Sequence, residues 1–276
     1  MGFVTLGVRF RPASRAASPW SGCTPEELLW LGQAVEGAGA DAVLCDGERS
    51  PSAPGDPFVL VGALAAVTNR VVLGCVASSV GERHPAVVAK AVAALDVCSA
   101  GRVLACLAPR ANGLGGGFGQ LAEALDVVRA MLDRPAPSYS GAHFGIAGAW
   151  NEPRAERPTP TPLGVLVPPP AARLVPDALG ALLAGRADTC FVEVAAMAAE
   201  TLREMSRALA AKGIPLVALL GTERDASPVG AAAAAGDALG AGCGGVVIDW
   251  RGAPTGASVV RVVAATRDVL DQPEAR

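Results

Sequence analysis

Lysine is nearly absent from the chain: Lys90 and Lys212 are the only two among 276 residues, and both fall in segments that read as helices. Schiff-base chemistry needs a lysine at a strand end, so that class of enzyme is excluded. Basic residues never cluster and the formal net charge is −3, which removes the electrostatic footprint a nucleic-acid binder requires. The seven cysteines stand singly, with no CxxC and no histidine at metal-ligand spacing, so no metal site is expected. Long apolar runs are missing too. The longest uncharged stretches are broken by Gly, Pro and polar residues, and MGFVTLGVRF runs straight into strand-like alternation. These absences predict a cytoplasmic protein that binds neither nucleic acid nor membrane.

What is abundant is core. Apolar residues make up 51% of the chain and charged residues 18%, enough for one large core and for a surface apolar enough to expect a partner subunit. Short apolar runs recur at 4–8, 42–45, 71–75, 103–107, 163–167, 189–194, 215–220 and 244–249. Strands buried on both faces show such runs rather than alternation. Helical periodicity fills 25–38, 57–68, 85–98, 119–132, 195–212, 229–239 and 258–270, with Thr24-Pro25 and Asp56-Pro57 supplying a capping oxygen followed by proline. Strand-helix alternation at this length predicts an α/β fold, a (β/α)8 TIM barrel forming a single domain over 1–276. One stretch, about 135–162, breaks the rhythm as an insertion between the fourth helix and the fifth strand, and reads as structureless. A TIM barrel places its site on the loops after the strands, which here start at Arg9, Asp46, Val76, Ala108, Pro168, Glu193, Gly221 and Asp249. Cysteines 45, 75, 106 and 190 fall in strand runs and read as small buried hydrophobes, with a reactive thiol at a strand end, such as Cys45, as the alternative.

Five pieces in order, LGQAVEGAGADAVLCD, DPFVLVGALAAVTNRVVLGC, RHPAVVAKAVAALDVCSAGRV, LAEALDVVRAML and SYSGAHF, resemble the bacterial luciferase-like monooxygenase superfamily. The resemblance covers residues 1 to about 145 well and the rest through its β/α rhythm. It implies a luciferase-like barrel, commonly dimeric, that uses reduced FMN or coenzyme F-420 for monooxygenation or hydride transfer on a small organic or peptide substrate. Where the family often has Asp-His after the second strand, this chain has Asp46-Gly47. After the third strand the family's small-residue turn against the cofactor ring is matched by Val76-Ala77-Ser78-Ser79. The family's Arg-His-Pro is matched by Arg83-His84-Pro85. The resemblance therefore implies Asp46 and His84 as catalytic candidates, with Glu48 nearby, and Val76, Ala77, Ser78, Ser79 and Arg110 as cofactor-binding residues. Each has a plainer alternative: Asp46 as a helix cap, His84 as a helix-start residue that packs or caps, His143 as a structural residue, Arg110 in a solvated ion pair.

Other positions depart from the family. Ala108-Pro109-Arg110 stands where deazaflavin users often end a turn in Glu, and Arg cannot deliver a proton at neutral pH. Pro168-Pro169-Pro170 replaces a Gly-Gly whose amides approach the cofactor phosphate, and proline has no amide hydrogen. The run GLGGGFG at 113–119 reads as a phosphate cradle or a lid. An alternative therefore stands beside the oxidoreductase: a catalytically inactive barrel with no cofactor, serving as partner subunit or scaffold, in a homodimer or a heterodimer with a related barrel.

Overall fold

A computed structural model describes residues 5–11, 25–46, 56–77, 80, 83–109, 117–168, 176–222, 227–251 and 256–271. The first half runs β1 (Leu6–Arg11), α1 (Pro25–Gly37), β2 (Ala42–Asp46), α2 (Pro57–Val67), β3 (Val72–Ala77), α3 (Pro85–Cys98), β4 (Val103–Leu107) and α4 (Gly117–Asp133). A hairpin of β5 (Tyr139–Ser140) and β6 (Gly145–Ile146) follows. The second half runs β7 (Leu163–Val167), α5 (Pro176–Leu183), β8 (Thr189–Glu193), α6 (Ala199–Ala210), β9 (Leu216–Thr222), α7 (Pro228–Gly240), β10 (Gly245–Arg251) and α8 (Gly256–Leu270). Eight parallel strands close in the order β1-β10-β9-β8-β7-β4-β3-β2, which is the expected (β/α)8 barrel.

Side-chain alternation sorts each strand into two faces. Outward residues such as Leu6, Val8, Leu73, Cys75, Val165 and Ile248 join the helices in one large core. Inward residues, among them Leu44, Val76, Leu104, Cys106, Leu166, Phe191, Val217, Leu219 and Val247, form a separate apolar plug in the lumen. Two glycines make room for it: a Cβ on Gly74 would stand 2.6 Å from Leu44, and one on Gly164 would stand 2.8 Å from Phe191. Cysteines 45, 75, 106 and 190 are buried in strands, as their apolar setting suggested. Burial pushes the Cys75 and Cys190 thiols up and raises Cys243 to about 12, so these sulfurs are held as thiols.

The base of the barrel is latched by charge. The first amides of β1, β4 and β7 each donate to an aspartate: Leu6 N to Asp41 (2.9 Å), Val103 N to Asp96 (3.4 Å) and Leu163 N to Asp188 (2.8 Å). Each aspartate also pairs with an arginine, namely Arg267 (2.8 Å), Arg157 (2.8 Å) and Arg129 (2.6 Å). Arg102 does similar work beside β3, donating to the carbonyls of Ser99 (2.8 Å), Val71 (3.2 Å) and Ala65 (3.0 Å) and to Thr68 Oγ1 (3.0 Å).

Several sequence readings need correction. The first strand reaches Arg11, β3 reaches Ala77, and the last two reach Thr222 and Arg251, so Arg9, Val76, Gly221 and Asp249 lie inside strands rather than at loop starts. The run 195–212 is not one helix: a 3-10 turn (Val194–Ala196) and two extended residues, Met197 and Ala198, precede α6. Lys212 then lies in the turn that Gly213 closes at φ 74°, a conformation that favours glycine. Gly117, Phe118 and Gly119 open α4, while 113–116 lie outside the described residues.

The insertion is ordered where it was read as structureless, because Glu123 on α4 organises it. The carboxylate accepts from the amides of Ala142 (3.0 Å), His143 (2.8 Å) and Phe144 (3.2 Å), and meets His143 Nδ1 at 2.9 Å. The His143 amide and ring, with the Phe144 and Ala142 amides, hold the Glu123 carboxyl down to about 2. A depressed folded value means a contribution present above the ordinary value of 4.5 and lost as pH falls toward about 2. The protection of the Ala142, His143 and Phe144 amides, measured against their intrinsic exchange rates, is therefore expected to fall across that acid window, and Glu123→Gln should lower it already at neutral pH. Equal protection in variant and native protein at pH 7 would refute this role.

Candidate functional site

The mouth of the barrel, at the C-terminal ends of the strands, has two contrasting arcs. On β3, β4 and β7 the lumen is apolar: Val76 and Cys106 are buried, and Ala108 and Pro168 are half-buried just past their strands. Val80, also buried, donates its amide to the Ala108 carbonyl (2.9 Å) and ties the segment after β3 to the one after β4.

On β8, β10 and β1 the lumen is charged. Arg9 is in register with Asp249 and with luminal Leu44, and Glu193 is in register with luminal Leu219, so these residues stand at the upper edge of the plug. The Arg9 guanidinium lies 3.7 Å from Asp249 and 3.8 Å from Glu193. Arg9 and Asp249 are 2% and 1% exposed, whereas Glu193, the last residue of β8, is 13% exposed. Enclosing one guanidinium and two carboxylates costs several kcal/mol per ion before pairing is counted, and hydrocarbon of the same size would stabilise a barrel equally well. Charge retained at this end of a barrel points to chemistry.

The residues singled out from sequence are spread more widely. Asp46 ends β2, in register with Val76, and Ala77 ends β3. Ser78, Ser79, Glu48, Gly47, Arg110 and Pro169-Pro170 lie outside the described residues. His84 is the N-cap of α3: its Nδ1 accepts from the Ala86 amide (3.2 Å), and Pro85 begins the helix. That bond places the ring proton on Nε2. The ring stands edge-on to Phe144 of the hairpin, with centroids 5.5 Å apart. Arg83 pairs with Asp56, the N-cap of α2, and lies 5.3 Å over the Phe58 ring. Burial raises the Asp56 carboxyl, but the Arg83 pair and the Phe58 amide outweigh it and hold it below the ordinary range. Arg83-His84-Pro85 thus clamps the starts of two helices and the tip of the insertion.

Sequence reasoning named Arg9, Glu193 and Asp249 only as places where loops begin. Their signal was available: charged residues inside otherwise apolar strand runs are costly and need a reason. What was missing was the pairing across three strands that are far apart in sequence.

No helix among the described residues is long and apolar enough to cross a membrane. A search of curated proteins finds no match. Among solved structures, the chain is similar to the EDTA monooxygenase EmoA of Chelativorans sp. BNC1, at 12% identity over 97% of this chain and 93% of the other, with a TM-score of 0.77. It is also similar to the coenzyme F-420 dependent tetrahydromethanopterin reductase of Methanopyrus kandleri, at 13% identity over 95% and 97%, with a TM-score of 0.67. A third is the oxygenating constituent of 3,6-diketocamphane monooxygenase from Pseudomonas putida, solved in complex with FMN, at 13% identity over 83% and 70%, with a TM-score of 0.60. The model of the luciferase-like monooxygenase family matches residues 2–227, and the chain belongs to that family.

Proposed function

We propose that the protein is an oxidoreductase or monooxygenase of the cytoplasm that uses FMN or coenzyme F-420 on a small organic or peptide substrate. The observation that carries this reading is the two-sided lumen. Flavin and deazaflavin rings have one apolar edge and one polar pyrimidinedione edge, and the mouth offers an apolar arc (Val76, Ala108, Pro168) opposite a charged one (Glu193, Arg9, Asp249). The residues present fit the ring. Bound there, such a ring supplies a centre for hydride or oxygen transfer. The apolar arc would exclude water from one side, Glu193 would accept a hydrogen bond, and Arg9 would set the local potential. Asp46 and His84 remain the proton-transfer candidates. Family membership, a similar structure in complex with FMN and a similar coenzyme F-420 dependent enzyme support the same reading.

One observation favours a second reading, an inactive barrel serving as partner subunit or scaffold: Pro168, at the exit of β7, offers no amide to a phosphate. Titration of the purified protein with FMN, reduced FMN and F-420 separates the two. The oxidoreductase reading expects saturable binding of at least one coenzyme. Failure of all three at high micromolar concentration sinks it.

We also propose that α2 and α3 face a second barrel. The sequence of α2, PFVLVGALAAV, carries no charged residue, and a helix apolar on all sides is normally buried on all sides. Its outer face nevertheless leaves Val59 70% exposed, and on α3 Val87 is 57% exposed. Sedimentation should show a dimer that Val59→Arg converts to monomer; a native monomer at micromolar concentration would refute the pairing.

A further inference from the structure

The contrast between the arcs also fixes which way round a bound ring should lie. Across the described mouth, β3, β4 and β7 present hydrocarbon, the proline ring of Pro168 and the thiol of Cys106, none of which is a strong hydrogen-bond acceptor. On the opposite arc Glu193 is the member of the charged group that reaches solvent, at 13%, while Arg9 and Asp249 are sealed at 2% and 1%. Among the described residues, Leu44 and Leu219 flank the group on neighbouring strands and Val247 lies two residues before Asp249, so the apolar plug closes it on the side of the base.

We propose that Glu193 accepts a hydrogen bond from the imide N–H of the pyrimidinedione ring, the group that flavins and deazaflavins share, with Arg9 and Asp249 as positioning residues. The assignment rests on the cofactor reading above and goes beyond it by naming the ring edge and the atom pair. Arg9, 3.7 Å from Asp249 on the neighbouring strand, also stands 3.8 Å from Glu193, so its charge attracts that carboxylate and biases it toward the lumen. A carboxylate that ends a strand and faces a buried guanidinium has less freedom to lose when a ligand binds than one on a loop, which is what an orienting contact needs. The same site turns away a ring flipped end for end. That orientation would set hydrocarbon against Glu193 and leave the imide N–H on the apolar arc, where an unmade hydrogen bond is costly.

The test is a cycle of two ligands and three proteins, read by calorimetry and by the visible spectrum of the bound flavin. The ligands are FMN and 3-methyl-FMN, in which a methyl group replaces the imide hydrogen; if the native protein takes F-420 instead, F-420 and its imide-N-methylated form replace the pair. Native protein is expected to bind the methylated ligand about tenfold more weakly, the scale of a lost hydrogen bond to a charged group. Glu193→Leu should bind the unmodified ligand about tenfold more weakly and discriminate no further between the two. Glu193→Gln, which keeps an acceptor oxygen, should recover part of the discrimination and a spectrum closer to native. Both variants are expected to fold, because Arg9 keeps Asp249; if the leucine variant does not, the glutamine variant carries the cycle, and discrimination equal to native in it overturns the assignment. Discrimination that survives in Glu193→Leu, or that is absent in the native protein, overturns this assignment alone. A native protein that binds neither coenzyme overturns the cofactor reading and the assignment with it.

Discussion

Asp96→Ala is expected to lower the stability of the protein by about 3–5 kcal/mol, the usual penalty for stranding the partner of a buried ion pair. Asp96 is almost fully enclosed, and both oxygens meet Arg157 Nη1, at 2.9 and 2.8 Å. Thr161 Oγ1 donates to it at 3.0 Å, and so does the first amide of β4, at 3.4 Å. Alanine would leave the Arg157 guanidinium, itself 8% exposed, buried beside an empty volume, and would free an amide at the start of a strand. Removing both charges should hurt less than removing one: Asp96→Leu combined with Arg157→Met is expected to regain most of the loss. Urea unfolding of the three proteins checks this. A loss under about 1 kcal/mol in Asp96→Ala would show that the pair is solvated in solution and that the base is not held as described.

The second large effect is expected in the lumen, where Phe191→Ala should cost about 3–5 kcal/mol. Phe191 is 1% exposed and is the largest side chain of the plug, filling space that Gly164 on the neighbouring strand leaves open. Strands cannot close over the cavity, because the barrel's hydrogen bonds fix its radius. Gly164→Ala should also destabilise, by about 1–3 kcal/mol, since its methyl would stand 2.8 Å from the Phe191 ring and 3.2 Å from Thr189 Cγ2. Because the two positions share one space, Gly164→Ala with Phe191→Leu should cost clearly less than the sum of the single changes. Thermal unfolding of the four proteins would reveal strict additivity, and strict additivity would mean the two residues do not compete for that volume.

The barrel was legible because strands buried on both faces cannot hide: runs such as VLACL and LGVLV have one interpretation once helices alternate with them. Strand ends were less legible. Luminal charges such as Arg9 and Asp249 resemble the polar residues that end a strand until the register shows them facing each other. The short α5, PDALGALL, escaped notice because eight residues give barely two turns of periodicity. The hairpin in the insertion depends on Glu123, which is about twenty residues earlier on another element and carries no local signature. His84 shows the reverse case. The Arg-His-Pro match was visible, but a motif does not say whether its imidazole faces a ligand or caps a helix, and here Nδ1 is engaged by the Ala86 amide.

The three aspartate-arginine latches at the start of β1, β4 and β7 have a consequence for how such a protein changes over generations. They tie down the starts of three strands at the end of the barrel opposite the rim where (β/α)8 barrels carry their sites. Substitutions at the opposite rim can then accumulate without being filtered by foldability, since the elements they connect are already pinned from below. A chain built this way can lose one reaction and acquire another while it stays folded throughout.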